Sequence, residues 1–221
     1  RKAFLKFQVL FFKDQTEMAA ETQINIGKLF GDLHAHPAAP QMSGNPEIFE
    51  IHVQKNSKVA NGEFWHSDVS CDEEPPLGTM LQIHILPESG GDTLFANSYA
   101  AYDALSQPFK ETLSNLTALH ESEHVYRGRY SDRGVDDDGK LYPHAIHPVI
   151  RTHPETGKKA IYVNRTFTTR INELNETESR AILDYLYDHC EKIDFQIRFR
   201  WEINDVAFWD NRCAMHRAVW D

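Results

Sequence analysis

The chain has 221 residues, of which 41% are hydrophobic and 25% charged, and its formal net charge is −10. That composition supplies a sizeable core and excludes a disordered chain, while the acidic balance, with no basic run longer than two residues, excludes a phosphate-gripping nucleic-acid surface. No apolar stretch approaches the roughly 20 residues that span a bilayer, and Arg1 to Leu10 lacks a signal-peptide pattern, so a cytoplasmic protein without a membrane partner is expected.

Phe7, Val9, Leu10, Phe11 and Phe12 predict a buried strand that turns polar at Asp14 to Thr16. Ile24, Ile26, Leu29 and Phe30 then predict an amphipathic helix over Met18 to Phe30, capped by Gly31. Ile48 to Val53 and Met80 to Leu86 read as strands, the latter closed by the turn Pro87 to Gly91, and Thr93 to Phe95 resumes an extended run. Helical spacing returns at Tyr102, Leu105, Phe109, Leu113 and Leu116, and Pro108 divides that stretch into two short helices.

Tyr126 to Lys140 is poor in apolar residues and carries Gly128, Gly134 and Gly139, which predicts a mobile loop of the kind used as a lid. Asn175 with Glu178 forms a capping box for a helix over Glu176 to Cys190. Phe195, Ile197, Phe199 and Trp201 alternate with polar residues as in a half-buried strand, and Val206 to Trp209 forms a further strand leading to His216. Neither an internal repeat nor a linker divides the chain, so residues 1–221 are expected to form a single catalytic domain. The odd set Cys71, Cys190 and Cys213, with no CxxC pair, predicts free thiols.

His66-Ser67-Asp68 places an imidazole and a carboxylate on one face of an extended segment, because side chains two apart point the same way. A second imidazole completes the two-histidine, one-carboxylate set that leaves positions open on non-haem iron(II), and His216 is the choice for it. Zinc accepts the same ligands, so a zinc hydrolase is an alternative. The triplet alone is a weak signal, since a His beside an Asp is more often a surface hydrogen bond. Asp72-Glu73-Glu74 reads as a solvated turn before Pro75-Pro76 rather than a metal site. Asp210 and Asn211 are candidates to support the strand end or to orient His216 from behind.

Three segments in one order resemble the taurine dioxygenase (TauD/TfdA) family: Phe64-Trp65-His66-Ser67-Asp68-Val69, then Gly90-Gly91-Asp92-Thr93-Leu94-Phe95 with Ala100-Ala101-Tyr102, then Trp209-Asp210-Asn211-Arg212 leading to His216-Arg217-Ala218. The resemblance covers nearly the whole chain. It implies a β-rich α+β fold, a double-stranded β-helix (jelly roll) with flanking helices, with iron(II) held by His66, Asp68 and His216 and with Thr93 bonding 2-oxoglutarate. It further implies oxygen-dependent hydroxylation of a small anionic molecule, foremost a taurine-like sulfonate, with release of sulfite, an aldehyde, succinate and carbon dioxide. An aryloxyacetate, an alkyl sulfate or another small acid is the alternative substrate, and a non-catalytic jelly-roll binding protein the alternative of another class. A homo-oligomer stays open.

By the same resemblance His36, Val69 and Tyr126 line the substrate pocket, with His34 an equal candidate to face inward and Arg127 or Arg129 adding anion contacts. Ala39 and Gly62 stand where the family carries larger polar residues, which implies a roomier pocket. The first strand or two and the C-terminal strand of the family pattern are expected to be missing, and its anion-binding arginines to fall beyond Asp221.

Overall fold

The computed structural model describes residues 1–40, 44–54, 57 and 61–220. Helix α1 (Lys2–Phe7) passes through Gln8, whose φ is 63°, into strand β1 (Val9–Phe12), and helix α2 (Ala20–Lys28) follows. Next come β2 (Gly78–Gln82), β3 (Thr93–Asn97), the short helices α3 (Ser98–Asp103) and α4 (Gln107–Leu113), β4 (Thr117–Glu121) and α5 (Glu123–Tyr126). The chain continues through β5 (His144–Pro148), β6 (Ile150–Thr152), β7 (Lys159–Ile161), β8 (Thr168–Ile171), α6 (Glu176–Cys190), β9 (Gln196–Phe199), β10 (Val206–Asp210) and β11 (Ala214–Ala218).

The named strands pair antiparallel: β1-β10-β2 and β11-β3-β9 form two three-stranded sheets, β5-β4-β8 a third, and β6-β7 a hairpin. The first two sheets pack face to face. Phe11 of β1 stacks on Phe199 of β9 at 3.9 Å between centroids, and Phe95 of β3 meets Trp209 of β10 at 5.5 Å. Trp201 and Ala207 are buried with them, so an aromatic core joins the two sheets.

A second core holds the helices against β4 and the β6-β7 and β8 strands, through Leu105, Leu113, Val149, Ile161, Ile171 and Leu186. Helix α6 starts where the sequence places it: Asn175 accepts from Glu178 N while the Glu178 side chain accepts from Asn175 N. Leu183 and Leu186, three apart on one face, are both buried. The division of the earlier helical stretch by Pro108 is likewise present, with Pro108 in the first turn of α4, where its missing N–H costs nothing.

Several expected elements differ. Phe7 closes α1 and is exposed, so the opening strand is only Val9–Phe12. Helix α2 ends at Lys28 with Leu29 as its cap, not at Gly31. Ile48 to Val53 forms no strand: Phe49 packs into the site below, while Ile51 and Val53 are exposed. The alternating run Phe195 to Trp201 yields four strand residues, with Ile197 half exposed, because β9 is the edge of its sheet. Part of Tyr126 to Lys140 is structured: Tyr126 ends α5, a 3₁₀ turn spans Ser131–Arg133, and Tyr126 and Tyr130 are buried. Among the described residues no helix is long and apolar enough to cross a membrane.

Candidate metal centre

His66 and His216 face each other across an antiparallel bridge, with His66 N donating to His216 O at 3.0 Å and His216 N to His66 O at 2.9 Å. Residues directly opposite in such a pair point to the same side, so the pairing itself brings both imidazoles together. Their ring centroids are 4.2 Å apart. Asp68, two residues after His66, completes the group: its Oδ1 lies 3.4 Å from His66 Nε2 and 3.6 Å from His216 Nε2.

Each donor is prepared by its surroundings. His66 Nδ1 donates to the Phe64 carbonyl at 2.7 Å, which leaves the Nε2 lone pair facing its neighbours. His216 is held by packing, its ring 4.6 Å from Trp209 and 5.9 Å from Phe95, and its buried Nδ1 meets no partner among the described residues. Asp68 Oδ2 accepts from Thr79 Oγ1 at 2.6 Å and from Trp209 Nε1 at 3.2 Å, so Oδ1 is the oxygen left free. Burial alone raises the Asp68 carboxyl, but His216, His66 and the Thr79 hydroxyl together outweigh it and hold the group well below the usual carboxylate range. Burial likewise pushes His216 down to about 3, against the pull of Asp68. A carboxylate and unprotonated imidazoles are the forms that bind a metal.

Three donor atoms of one kind of site lie within 4.8 Å of one another. Cis ligands on a small divalent ion sit about 3 Å apart, given metal–donor bonds near 2.1 Å, so the residues fit such an ion with little movement. His153, Asp210 and Cys213 form a second group of donors, and they do not fit one. His153 Nδ1 accepts from Glu155 N and Thr156 N, so Nε2 carries the hydrogen and donates to Asp210 Oδ2 at 3.1 Å. Arg212 occupies both Asp210 oxygens, at 2.8 and 2.7 Å, and also reaches Glu155, itself paired with Arg1. This buried, charge-compensated cluster anchors the β10-β11 turn. Of the two expected roles, Asp210 takes support of the strand end: it touches Arg212 and His153 and not His216. Asn211 does lie behind the site, but it supports Asp68, whose N–H it accepts at 3.4 Å.

The expected pocket residues also come together. Val69, Tyr126, Ala38 and Ala39 belong to one buried cluster, and the His36 ring lies 5.1 Å from Tyr126 and 4.9 Å from Phe49. Val69 has φ 48°, a left-handed conformation that costs a β-branched residue about 1–3 kcal/mol. His36 Nδ1 accepts from Ala38 N and Ala39 N, so its Nε2 bears the hydrogen, and burial lowers its pKa to about 4 despite the charge of Asp68. His34 is engaged elsewhere, 2.5 Å from Asp72, which also accounts for the first acid of the Asp72-Glu73-Glu74 turn. Arg127 pairs with Glu123, and Arg129 donates to Asn61.

Thr93 shares a face of β3 with Phe95, which lies opposite His216, and is thereby about 7 Å along the strand from the level of that ligand. Trp201 Nε1 donates to its hydroxyl oxygen at 2.9 Å, which leaves the hydroxyl hydrogen available to an acceptor. Trp201 and Thr79 are contributors that sequence reasoning missed: a tryptophan just past the end of β9 and a threonine on a sheet edge carry no motif. At Gly62 an added Cβ would lie 3.3 Å from His66 Cε1, so this glycine leaves the flank of the first ligand open.

The family model described as taurine catabolism dioxygenase TauD, TfdA family matches residues 1–221. The chain belongs to that family. Among its relatives, an alpha-ketoglutarate-dependent sulfate ester dioxygenase of Pseudomonas putida is 34% identical, over 99% of this chain and 74% of its own length. An alpha-ketoglutarate-dependent sulfonate dioxygenase of Saccharomyces cerevisiae is 36% identical over 88% of this chain and 49% of its own. A Schizosaccharomyces pombe relative at 37% identity is spanned over 56% of its length, so the chain covers only about half of these two yeast proteins. The crystal structure of a taurine dioxygenase from Burkholderia xenovorans superposes with a TM-score of 0.79 at 30% identity, over 98% of this chain and 71% of that one. A further family-like fold, AAD-2 in complex with Mn(II) and N-oxalylglycine, superposes with a TM-score of 0.77 at 26% identity, over 100% of this chain and 79% of that one.

Proposed function

We propose that this chain carries the catalytic centre of an iron(II)- and 2-oxoglutarate-dependent dioxygenase that hydroxylates a small organic sulfonate or sulfate ester. The observation that carries this reading is the convergence of His66 Nε2, His216 Nε2 and Asp68 Oδ1, three ligands of the kind that leave positions open on iron. Relatives named as alpha-ketoglutarate-dependent sulfonate and sulfate ester dioxygenases, and the fit to AAD-2 in complex with Mn(II) and N-oxalylglycine, support the metal, the cosubstrate and the substrate class. In this reading the two facing sheets are part of a jelly roll, with the metal at one mouth of the sandwich.

Bound iron(II), 2-oxoglutarate and oxygen together supply an oxidant that inserts oxygen into a C–H bond, with succinate and carbon dioxide as coproducts. The residues of the chain place the reactants. His66, His216 and Asp68 would hold the metal, and Thr93, its oxygen already taken by Trp201, would donate its hydroxyl hydrogen to a carboxylate of the cosubstrate. His36 presents Nε2–H among Phe49, Tyr126 and Val69, where a neutral donor in an apolar pocket suits the oxygen of a sulfonate or sulfate head. Hydroxylation at the carbon bearing the sulfur-containing group yields an unstable product that releases sulfite or sulfate and an aldehyde.

Anaerobic addition of iron(II) and 2-oxoglutarate tests the assignment through the visible absorption of the metal–keto acid chelate. The band should appear, and succinate should form in air only when an alkyl sulfonate or alkyl sulfate is added. Absence of the band with both in excess would favour a zinc hydrolase or a binding protein on the same ligands.

A further inference from the structure

Asp68 has two oxygens, and a metal that took both would lose one of the positions its cosubstrate needs. Oδ2 is kept away from the metal side by hydrogen bonds whose direction the surrounding groups determine. Trp209 Nε1 can only donate, and it lies 3.0 Å from Asn211 Oδ1, which identifies that atom as the amide oxygen. Asn211 Nδ2 therefore faces the Pro76 carbonyl at 3.3 Å and the Thr79 hydroxyl at 2.9 Å, and it donates to both. With its oxygen receiving that hydrogen, Thr79 turns its own O–H to Asp68 Oδ2 at 2.6 Å. The single indole N–H is shared, nearer to Asn211 at 3.0 Å than to Asp68 at 3.2 Å, so Thr79 is the principal donor to the carboxylate.

We infer that Thr79 is a positioning residue for the metal carboxylate: the relay Asn211 to Thr79 to Asp68 Oδ2 restricts Asp68 to one ligating oxygen. The inference rests on the proposed metal site. A hydrogen bond from a short, β-branched side chain on a strand is stiff, since χ1 of threonine has few choices and β2 is paired residue by residue with β10, Thr79 opposite Trp209. The donor and the carboxylate are thus held by the same piece of sheet that carries Trp209.

The test uses Mn(II), which binds such sites without redox chemistry, titrated calorimetrically into the metal-free intact protein, followed by 2-oxoglutarate into the Mn(II) form. Thr79→Val keeps the shape and removes the donor, and partners behind metal ligands typically change affinity about ten- to a hundredfold. Mn(II) or 2-oxoglutarate affinity should fall by that factor in Thr79→Val and return to within about threefold of the parent in Thr79→Ser, which restores the hydroxyl. A position that is half-buried on an edge strand tolerates valine, and Thr79→Ala provides a second hydroxyl-free variant should Thr79→Val not fold. Parent-like affinities in the folded hydroxyl-free variants overturn the inference, as does equal impairment of Thr79→Ser, which would assign the effect to packing. Failure of the parent protein itself to take up Mn(II) overturns the metal site as well, so the two failures are told apart.

Discussion

In the proposed metal site, His66 shows how a donor is prepared by the ring atom that would not touch the metal. Its Nδ1 is tied to the carbonyl of Phe64, two residues back, so the tautomer is set locally and Nε2 is free. His66→Ala removes one of three donors, and the chelate band formed with iron(II) and 2-oxoglutarate should disappear while the far-ultraviolet circular dichroism is unchanged. His36 was legible only as one of two histidines; in the structure His34 pairs with Asp72, while His36 lies against Phe49 and Tyr126. His36→Ala should raise the substrate KM about tenfold or more, with little change in 2-oxoglutarate affinity, since the loss of one hydrogen bond to a charged group amounts to about 1.5–3 kcal/mol. Initial rates over a range of alkyl sulfonate and alkyl sulfate concentrations check this.

At the scale of elements, local signals and tertiary ones separate cleanly. The capping box at Asn175 and the break at Pro108 were readable because a few neighbouring residues satisfy their own backbone groups. Ile48 to Val53 was misread because a short apolar run serves a strand or a pocket wall equally well, and Phe49 packs on His36 instead of pairing in a sheet. Helix α6 closes the second core with Leu186, which is fully buried, and Leu186→Ala should cost about 2–5 kcal/mol in urea unfolding. The Asp210–Arg212 pair is another matter, because removing one partner strands a buried charge. Arg212→Met should destabilise by about 3–5 kcal/mol and loosen the turn between β10 and β11, measurable as a lower denaturation midpoint and faster amide exchange at residues 211–216.

For the molecule as a whole, acid is the revealing variable. Burial pushes His120 down to about 3 and His36 to about 4 from an ordinary value of 6.5. A histidine whose folded pKa is depressed leaves the fold unharmed above 6.5. As the pH falls below 6.5 the unfolded chain takes up the proton that the folded chain refuses, and stability declines down to the folded pKa. Glu155 adds a lower window: the Arg1 hydrogen bond, with help from Arg212, brings its carboxyl to about 2 from 4.5, so the stability it supplies above 4.5 is lost as the pH falls towards 2. Urea midpoints measured from pH 8 to pH 4 should fall mainly below 6.5, and His120→Gln should flatten that decline.

Residue type and spacing by themselves named the candidate donors, two histidines and an aspartate in an HxD triplet and the ordered motifs around Thr93 and His216, because donor identity is a property of side chains. Which atoms face which is a property of the sheets. Only the bridge between residues 66 and 216 brings together groups 150 positions apart, only the pairing of β2 with β10 sets Thr79 behind Asp68, and only the crossing of β3 and β10 puts Phe95 and Trp209 around His216. Periodicity reports the face a residue takes within its own strand and says nothing of the strand that will lie beside it.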